Sequence, residues 1–400
     1  MALADLKGKK VVLGVSGGIA AYKAVEICRQ LSDLGAHVAP VMTEGAKKFI
    51  GETTLSALAS EPVQTKLWNA DNPIPHTRLG QTADVIVVAP ATARLIGTYA
   101  AGISNDLLTA TLLATRAPVV ICPAMHTEMW EHPAVQENIS TLKRRGVIIV
   151  EPESGRLAGG DIGHGRLAAP QVIVERVVET LTPADLSGLK IVVTAGGTRE
   201  PIDAVRVITN RSSGKQGHAI AAAAQQRGAS VVLVTTTDLP APAGVERVQV
   251  ETTAQMQDAL GIHASAADVV IMAAAVADFR PVEASSSKMK KSGGVPNLEL
   301  EPTPDLIAEL GKNKRTGLTL VGFAAETENL EKNASEKLAK KQLDLIVANN
   351  VAVPNVGFGH DTNEVLILDA RGGRKEVALS QKGSVAHAIL DSVVQHRAVR

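Results

Sequence analysis

The chain has 400 residues, and its 41 basic and 41 acidic side chains cancel. This balance excludes a global field that would attract nucleic acid or an anionic membrane surface, so we expect small molecules and other subunits as partners. Cys28 and Cys122 are far apart, which argues against a disulfide framework and fits a reducing compartment. Without a long apolar run for a leader or a membrane span, the sequence predicts a soluble, cytoplasmic enzyme.

The order of apolar runs and glycines predicts an architecture that occurs twice. Hydrophobic residues make up 45% of the chain but aromatic ones only 2%, a composition typical of parallel sheets covered by small-residue helices. Strand, Gly/Ser turn, helix and strand follow one another from Lys9 and again from Lys190. We predict two doubly wound, Rossmann-like α/β domains, 1–186 and 187–400, separated within "LTPADLSGLK". Ligands are expected where the winding reverses, at the carboxyl ends of the strands.

The first Gly/Ser turn, "GVSGG", predicts a phosphate position. Ser16, Gly17 and Gly18 follow the first strand at a helix N-terminus, where backbone N–H groups and the helix dipole favour an anion. The turn lacks the third glycine of a dinucleotide motif, and Thr43 stands where an acidic ribose ligand would follow the second strand. A mononucleotide is therefore favoured over NAD.

Three further segments of the first half carry candidate site residues. Ser104, Asn105 and Asp106 precede an apolar helix, where they predict an N-cap within reach of a ligand. His76 lies in a predicted proline-bounded loop, "NPIPHTRLG", as either a catalytic imidazole or an ordinary loop residue. His126 lies in "PAMHTEMW", a predicted loop at the carboxyl end of a strand. The alternative to a functional site is that the Met and Trp residues of this stretch pack in the core.

In the second half, "NRSSGKQGHAIAAA" (210–223) has the pattern of a phosphate cradle. Ser212, Ser213 and Gly214 leave backbone N–H groups accessible where an alanine-rich helix begins. The stretch is not a Walker A loop, because Gln216 follows Lys215 where a magnesium-binding hydroxyl is required. Judged locally, a Ser/Gly turn that only caps the helix is the alternative.

Two Gly-rich or Ser-rich stretches are predicted to be loops. Residues 151–170 suit either a flap that closes over a ligand or a plain surface loop. Residues 279–297 contain Lys288, Lys290 and Lys291, and they form either a solvated basic loop or an arm that delivers lysine to a phosphate.

The first-half motifs together resemble the flavin-dependent cysteine decarboxylases, in the phosphopantothenoylcysteine decarboxylase branch. The matching stretches are "GVSGGIAAYK", "PHTRL", "APATA", "AGISNDLL" and "PAMHTEMW". The resemblance implies a flavodoxin-like domain in which FMN accepts a hydride and later returns it, with His76 as acid–base or electrostatic partner. It also implies FMN contacts from Ser16, Gly17, Gly18, Thr43, Pro90, Ala91, Thr92, Ser104 and Asn105.

Two positions depart from that family's pattern. His126 stands where the family has an asparagine that orients the substrate, and Gly159 stands where a flap cysteine protonates the enethiol intermediate. Glycine has no proton to give, so water, another flap group or a residue of a neighbouring subunit must supply it. Cys122 is a poor substitute because we expect it to be buried. We expect a rewired but working site, and a stalled reduction step is the alternative.

The stretches "TAGGTREPIDAVR" and "NRSSGKQG" closely resemble the phosphopantothenate–cysteine ligase family. The resemblance implies that CTP activates a carboxylate as an acyl-cytidylate, which the cysteine amine then attacks. It assigns Asn210 to the acyl-cytidylate and Lys288, Lys337 and Lys341 to the triphosphate, with Mg²⁺ on ligands left unassigned. The other implied nucleotide contacts are Ala273, Ala274, Asp278, Pro304, Asp305, Leu306, Ile307 and Phe323.

We therefore predict two activities of coenzyme A biosynthesis in one chain. The second half joins cysteine to 4′-phosphopantothenate, and the first half decarboxylates the resulting 4′-phosphopantothenoylcysteine. A homo-oligomer is implied, with trimeric decarboxylase and dimeric ligase contacts, up to a dodecamer. Two rival hypotheses are an oxidoreductase that binds NAD(P) and a flavin-binding regulatory or scaffold module that releases no carbon dioxide.

Overall fold

A computed structural model describes residues 6–68, 73–289, 297–326, 328–350 and 359–398. Internal contacts divide the chain into two compact units, between Thr182 and Pro183. The domain boundary at 186/187 stays a prediction. No helix in the described ranges is long and apolar enough to cross a membrane.

The first unit is built on a parallel sheet of five strands with helices between them. The sheet strands are β1 (Lys10–Val15), β2 (His37–Met42), β3 (Val85–Ala91), β4 (Val119–Pro123) and β5 (Ile148–Ile149), and an antiparallel hairpin adds β6 (Glu153–Arg156) and β7 (Ile162–Arg166). The helices are α1 (Lys23–Asp33), α2 (Glu52–Ser56), α3 (Pro75–Thr82), α4 (Ala93–Ala100), α5 (Leu107–Ala114), α6 (Thr127–Trp130), α7 (Pro133–Arg144) and α8 (Pro170–Leu181). Short 3-10 turns occupy Ile19–Tyr22 and Ala46–Lys48.

The strand order of this sheet is β2-β1-β3-β4-β5, the flavodoxin-like order. Alternate residues of β1 face opposite layers: Val11 and Leu13 pack in one core cluster and Val12 in the other. All seven residues of β3 are buried, as a central strand covered by helices on both faces requires. The winding reverses between β1 and β3, so the predicted fold class is confirmed.

The second unit contains a larger sheet and several short ladders. Its strands are β8 (Lys190–Ala195), β9 (Arg199–Pro201), β10 (Val207–Thr209), β11 (Ser230–Thr235), β12 (Glu246–Gln249), β13 (Val269–Met272), β14 (Phe279–Pro281), β15 (Leu300–Pro302), β16 (Thr319–Glu326), β17 (Leu345–Asn350), β18 (Thr362–Asp369) and β19 (Arg374–Gln381). Its helices are α9 (Lys215–Gln226), α10 (Thr253–His263), α11 (Leu306–Lys312), α12 (Leu330–Lys340) and α13 (Lys382–Ala398), with a 3-10 turn at Ala264–Ala266.

The eight-stranded sheet has the order β12-β11-β8-β13-β16-β17-β18-β19. Six strands are parallel and doubly wound, and the reversal lies between β8 and β13. Strands β18 and β19 are antiparallel and extend one side of the sheet. Val193 and Ile271 pack into one core cluster and Val192 and Val270 into the other, because neighbouring residues of a strand point to opposite faces.

Local predictions agree with most of these elements. They differ at His76, at Thr127–Trp130, which form α6 instead of a loop, and at 151–170, which contain the β6–β7 hairpin. The helix expected after the serine-rich turn is α9, and Gly35 follows α1 with a φ of +85°, as a helix-ending glycine does. The predicted loop around His76 was wrong, because this residue lies in the first turn of α3. Pro75 takes the first helical position, where a proline loses no hydrogen bond and its fixed φ suits the helix.

Candidate functional site

A cavity of about 710 Å³ opens in the first unit where the winding reverses. The turn after β1 and the N-terminus of α4 after β3 form one part of its wall, and the β6–β7 hairpin forms another. The volume lies within the range of small-molecule and cofactor sites. Of the predicted residues, the lining includes Ser16, Gly17, Gly18, Thr43, Thr92, Asn105, Asp106 and His126.

Ser16 is buried and joins the ends of the two central strands. Its hydroxyl donates to the Pro90 carbonyl at 2.8 Å and accepts from the Thr92 amide at 2.9 Å. Thr92 in turn caps α4 by accepting from the Leu95 amide at 3.5 Å. The Ser16 and Thr92 hydroxyls, predicted to contact a ligand, are thus already engaged in fixing the wall. The backbone N–H groups of the turn remain the simpler donors to a phosphate.

The two glycines of this turn are in different surroundings. A Cβ on Gly17 would lie 2.6 Å from the backbone of Gly45, so only glycine fits that approach. A Cβ on Gly18 would meet only the Thr92 methyl, at 3.6 Å. Gly17 is therefore needed for the contact between two loops, and Gly18 leaves the backbone open toward the cavity.

Other predicted residues lie outside this lining. Pro90 and Ala91 belong to β3 and are buried, and Ser104 precedes the helix cap without lining the cavity. Asp106, by contrast, lines the cavity and is also the N-cap of α5, as predicted, because its carboxylate accepts from the Thr109 amide at 2.8 Å. His76 also lies outside the lining, and its buried Nδ1 finds no hydrogen-bond partner among the described residues.

Four cationic side chains of the lining were missed by the sequence analysis: Lys23, Arg94, Arg156 and Arg166. Lys23 donates to the Leu167 carbonyl at 2.9 Å. Burial, and secondarily the charge of Arg166, lowers the pKa of Lys23. Only Lys23 carried a signal, as the last residue of the "GVSGGIAAYK" motif. The arginines come from α4 and the hairpin, which only the fold brings together.

The predicted flap is the β6–β7 hairpin, and its glycines pack against the segment after β4. Gly165 has a φ of +133°, and its carbonyl accepts from the Met125 amide at 3.0 Å. A Cβ on Gly163 would collide with the Thr127 hydroxyl, and one on Gly159 would lie 2.8 Å from His126 Cε1. Cys122 is buried in β4 as expected, and burial raises the pKa of its thiol.

In the second unit, Asn210 lies over the reversal point of the sheet. Its side-chain amide donates to the Val276 carbonyl, just after β13, at 2.8 Å. A Cβ on Gly197, just after β8, would lie 2.5 Å from the Asn210 carbonyl oxygen. The Ala275 amide donates to the Gly196 carbonyl at 2.7 Å and holds the two strand ends together. An exposed amide is thus fixed where doubly wound sheets bind ligands.

The predicted phosphate cradle is the turn that begins α9. Gly214 is the N-cap with φ +72°, a conformation that favours glycine, while Ser212 and Ser213 are half-buried. The Lys215 ammonium pairs with Asp361 at 2.7 Å, and this hydrogen bond lowers the pKa of Asp361. The turn begins α9 as the sequence predicts, but its lysine holds a carboxylate of the same unit.

Two of the three predicted triphosphate lysines, Lys337 and Lys341, also have carboxylate partners. Lys337 lies 2.6 Å from Glu326, and Lys341 lies 2.9 Å from Asp305. Burial alone would raise the pKa of Glu326, but hydrogen bonds from Lys337 and Asn333 outweigh it and hold the pKa below its usual value. Lys341 caps the C-terminus of α12 instead of lying within the helix, and Asp305 caps α11.

The other predicted nucleotide contacts divide between the two faces of the sheet. Ala273 and the half-buried Phe323 pack on one core cluster, while Ala274, Leu306 and Ile307 pack on the other. Pro304 is half-buried and Asp278 is exposed. Exposed Lys288 adjoins Met289, whose amide donates to Asp203 at 3.2 Å. Lys290 and Lys291 lie outside the described residues.

Two acidic residues of the "TREPIDAVR" stretch have structural partners that the sequence did not reveal. Glu200 accepts from the Thr253 amide at 2.8 Å and from its hydroxyl at 2.7 Å. Asp203 accepts from the Val205 and Arg206 amides, both at 2.8 Å, and closes their turn. Within the described ranges, no group of three or more His, Cys, Asp or Glu side chains is placed to hold a metal ion.

The fold and the first cavity define a flavodoxin-like nucleotide-binding unit followed by a second doubly wound α/β unit. The family model "Flavoprotein" matches residues 2–182, and the model "DNA/pantothenate metabolism flavoprotein C-terminal domain" matches residues 186–396. Coenzyme A biosynthesis bifunctional proteins CoaBC are similar to the chain over nearly its whole length. The identity is 47% for Mycobacterium tuberculosis, covering 96% of each chain, and 45% for Escherichia coli, covering 98% of each.

The chain belongs to the family of coenzyme A biosynthesis bifunctional proteins. The predicted function is thereby confirmed: a flavoprotein decarboxylase domain precedes a ligase domain. The crystal structure of the C-terminal domain of a CoaBC protein is 39% identical and covers 54% of this chain and 100% of that chain, with a TM-score of 0.47. A PPC decarboxylase mutant complexed with pantothenoylaminoethenethiol is 32% identical and covers 42% of this chain and 96% of that chain, with a TM-score of 0.40.

Proposed function

We propose that the first half binds FMN and decarboxylates 4′-phosphopantothenoylcysteine, and that the second half uses CTP to join cysteine to 4′-phosphopantothenate. For the first half, the cavity at the reversal point carries the proposal. Its volume suits a mononucleotide, and its wall combines open backbone at Gly18 with four cationic side chains. Such a wall suits a ligand that brings several negative charges.

Different residues of the cavity bind FMN and the anionic groups of the substrate. The turn Ser16–Gly18 and Thr92 hold the FMN phosphate, together with Thr43 and Asn105. The arginines Arg94, Arg156 and Arg166 bind the carboxylate and phosphate of the substrate, since a guanidinium binds either group in a bidentate manner. FMN supplies the acceptor for a hydride from the carbon that carries sulfur and returns it after carbon dioxide has left.

In this proposal His76 acts at a site that a neighbouring subunit completes. Its buried Nδ1 has no hydrogen-bond partner in the described part of the chain, and the residue lies outside the cavity lining. A buried polar atom without a partner is costly, so a partner from a second copy is a physical reason for assembly. We assign His76 an acid–base role in a site completed between subunits. Trimeric decarboxylase contacts and dimeric ligase contacts, up to a dodecamer, remain part of this proposal.

For the second half, the fixed position of Asn210 at the reversal point carries the proposal. A neutral amide there can hold the acyl-cytidylate carbonyl without repelling the attacking amine. The α9 turn binds phosphate through backbone N–H groups, and Ala273, Asp278 and Phe323 receive the nucleotide. We assign the base to the segment Pro304–Ile307.

The lysine pairs imply that nucleotide binding exchanges ionic partners. Lys337 and Lys341 each hold a carboxylate, so the triphosphate must replace Glu326 and Asp305. Lys288, which is exposed, approaches from the loop after β14. Mg²⁺ arrives with CTP, held mainly by the phosphates, as it commonly is in nucleotide sites. Unpaired, buried Cys28 and Cys122 support placing both reactions in the reducing cytoplasm.

One experiment tests both halves. Purified protein receives phosphopantothenate, cysteine, CTP and Mg²⁺, and products are followed by mass while flavin is identified from its spectrum. We expect CMP, pyrophosphate, carbon dioxide and 4′-phosphopantetheine. Ligated but undecarboxylated product would refute the first half alone, whereas NAD(P) binding without CTP turnover would favour the oxidoreductase. Arg94→Ala should weaken substrate use, and Arg176→Ala, on the exposed part of α8, is its matched control.

A further inference from the structure

Gly159 lies against His126, which lines the cavity. A Cβ at position 159 would lie 2.8 Å from Cε1 and 3.5 Å from Nε2 of His126, and also 2.8 Å from an Asp161 carboxylate oxygen. Distances of this kind leave no room for a side chain at position 159 while the imidazole keeps its place. The ring therefore occupies the space into which any side chain at position 159 would begin.

The hairpin turn holds the imidazole beside a carboxylate. The Leu157 amide donates to the Asp161 carbonyl at 2.8 Å, and Gly160 completes the turn with a φ of +97°. An Asp161 carboxylate oxygen lies 3.9 Å from His126 Nδ1, within ion-pairing distance of a protonated ring. The imidazole also lines the cavity, and 45% of its side-chain surface is exposed. Nε2 is thus the ring nitrogen left for a ligand.

We propose that His126 donates the proton that the reduction step requires, and that Asp161 is the residue that positions its ring. The assignment rests on the proposed decarboxylation. After carbon dioxide leaves, the product is an enethiolate, N–CH=CH–S⁻. The His126 Nε2–H bond breaks and its proton goes to the carbon that lost carbon dioxide. The C=C electron pair forms that C–H bond, and a sulfur lone pair forms C=S.

FMN, which the turn Ser16–Gly18 would hold, would supply a hydride to the sulfur-bearing carbon of this thioaldehyde, and the C=S electron pair would return to sulfur as thiolate. The imidazole, left neutral, takes a proton from solvent. Histidine exchanges protons near neutral pH and so suits this role better than a buried thiol. One substitution pair, histidine at 126 and glycine at 159, then explains both departures from the family pattern.

The test is an anaerobic single turnover of FMN-loaded protein with 4′-phosphopantothenoylcysteine. For His126→Asn we expect carbon dioxide release with at least about a 100-fold fall in the ratio of reduced product to carbon dioxide. The flavin absorbance should stay bleached, because the hydride is not returned. His132→Asn, at the cap of α7 outside the cavity lining, should behave as wild type. A wild-type ratio in His126→Asn refutes the proposal, and so does loss of carbon dioxide release in that variant alone.

A second variant tests the shared space. Gly159→Cys should lower product formation because its side chain displaces the imidazole, while Gly159→Cys combined with His126→Asn should recover it. In FMN-free protein, Gly159→Ala should shift the His126 imidazole resonances, and unchanged resonances would refute the packing. Asp161→Asn should lower kcat for reduced product with little change in KM. If wild-type protein releases no carbon dioxide, the proposed decarboxylation fails instead.

Discussion

The buried polar side chains of the two units differ in kind. In the described part of the first unit they are the hydroxyl groups of Ser16, Thr109 and Thr111. The second unit buries ionisable residues as well, among them Glu200, Asp203, His218, Arg227, Asp344, Lys382 and His396. Both units reverse their winding at the same kind of sheet position. The two units therefore differ in the interactions that hold the residues around each site, not in the place of the site in the sheet.

This difference follows the kind of ligand site that each unit presents. The first has an open cavity whose wall is fixed by neutral hydrogen bonds such as Ser16 to Thr92. In the second, Lys337 and Lys341, two lysines proposed for the triphosphate, are held by carboxylates. A cavity whose wall is fixed by neutral hydrogen bonds can bind a ligand without breaking ion pairs. A site held by ion pairs responds to salt, pH and the arrival of a polyanion.

Asn210→Asp should give the largest effect and tests whether the second site depends on a neutral amide. A carboxylate at this position would repel the acyl phosphate, so we expect CMP and ligated product to fall by about 100-fold or more. Decarboxylation of added 4′-phosphopantothenoylcysteine should persist. Asn313→Asp, after α11, is the control. Wild-type ligation by Asn210→Asp would remove this residue from the mechanism.

Arg227→Ala tests whether the stability of the second unit depends on its buried charges. The guanidinium is 2% exposed, and it donates to Asp185 at 2.7 Å and to Asp391 at 2.8 Å. Arg227→Ala removes the packing and the charge-assisted hydrogen bonds of a buried side chain, which costs about 2–3 kcal/mol, while Asp185 and Asp391, 31% and 54% exposed, can be hydrated. Urea unfolding should show this loss, whereas Arg176→Ala, half-exposed in the first unit, should change little. Equal losses in the free energy of unfolding of the two variants would contradict the proposed difference between the two units.

Gly17→Ala and Gly18→Ala test the rigidity of the first site. The added methyl of Gly17→Ala would lie 2.6 Å from the Gly45 backbone, so two loops must separate. Overpacking of this kind costs about 1–3 kcal/mol, which corresponds to roughly 5- to 150-fold weaker FMN binding. Gly18→Ala has room and should bind FMN nearly normally. Flavin titration of the apo-proteins measures both, and equal affinities would show that the wall adjusts.

Much of the fold could be predicted because its signals are local. Runs of β-branched residues bounded by glycines placed β1, β8 and their following helices, and the repeated order gave two doubly wound units. The antiparallel strands β18 and β19 were not predicted. Their partners are selected by contacts across the sheet, which short-range periodicity does not encode.

The candidate sites were predicted unevenly for the same reason. Position in a motif marked Asn210 and Gly17, and the structure places both at strand ends. The pairing of Lys341 with Asp305 spans 36 residues, and no local pattern announces it. His76 was assigned to a loop because prolines interrupt many helices, although a proline at the first helical position favours one.

Glu326→Gln should give the smallest effect and locates the pH response in the second unit. Hydrogen bonds from Lys337 and Asn333 hold the pKa of Glu326 below its usual value. As the pH falls, the unfolded carboxyl therefore binds a proton before the folded one does, and stability declines. The pair stabilises the fold above about pH 4.3, the ordinary value of an unfolded Glu, and loses this contribution as the pH falls through the lower folded pKa.

Because Lys337 is 45% exposed and solvent screens it, we expect Glu326→Gln to cost about 1 kcal/mol or less at pH 7. The difference from wild type in urea unfolding should vanish once the pH falls below the lowered pKa of folded Glu326. Glu336→Gln, exposed on α12, is the control, and a loss that persists unchanged at low pH would show that the charge of Glu326 does not stabilise the fold.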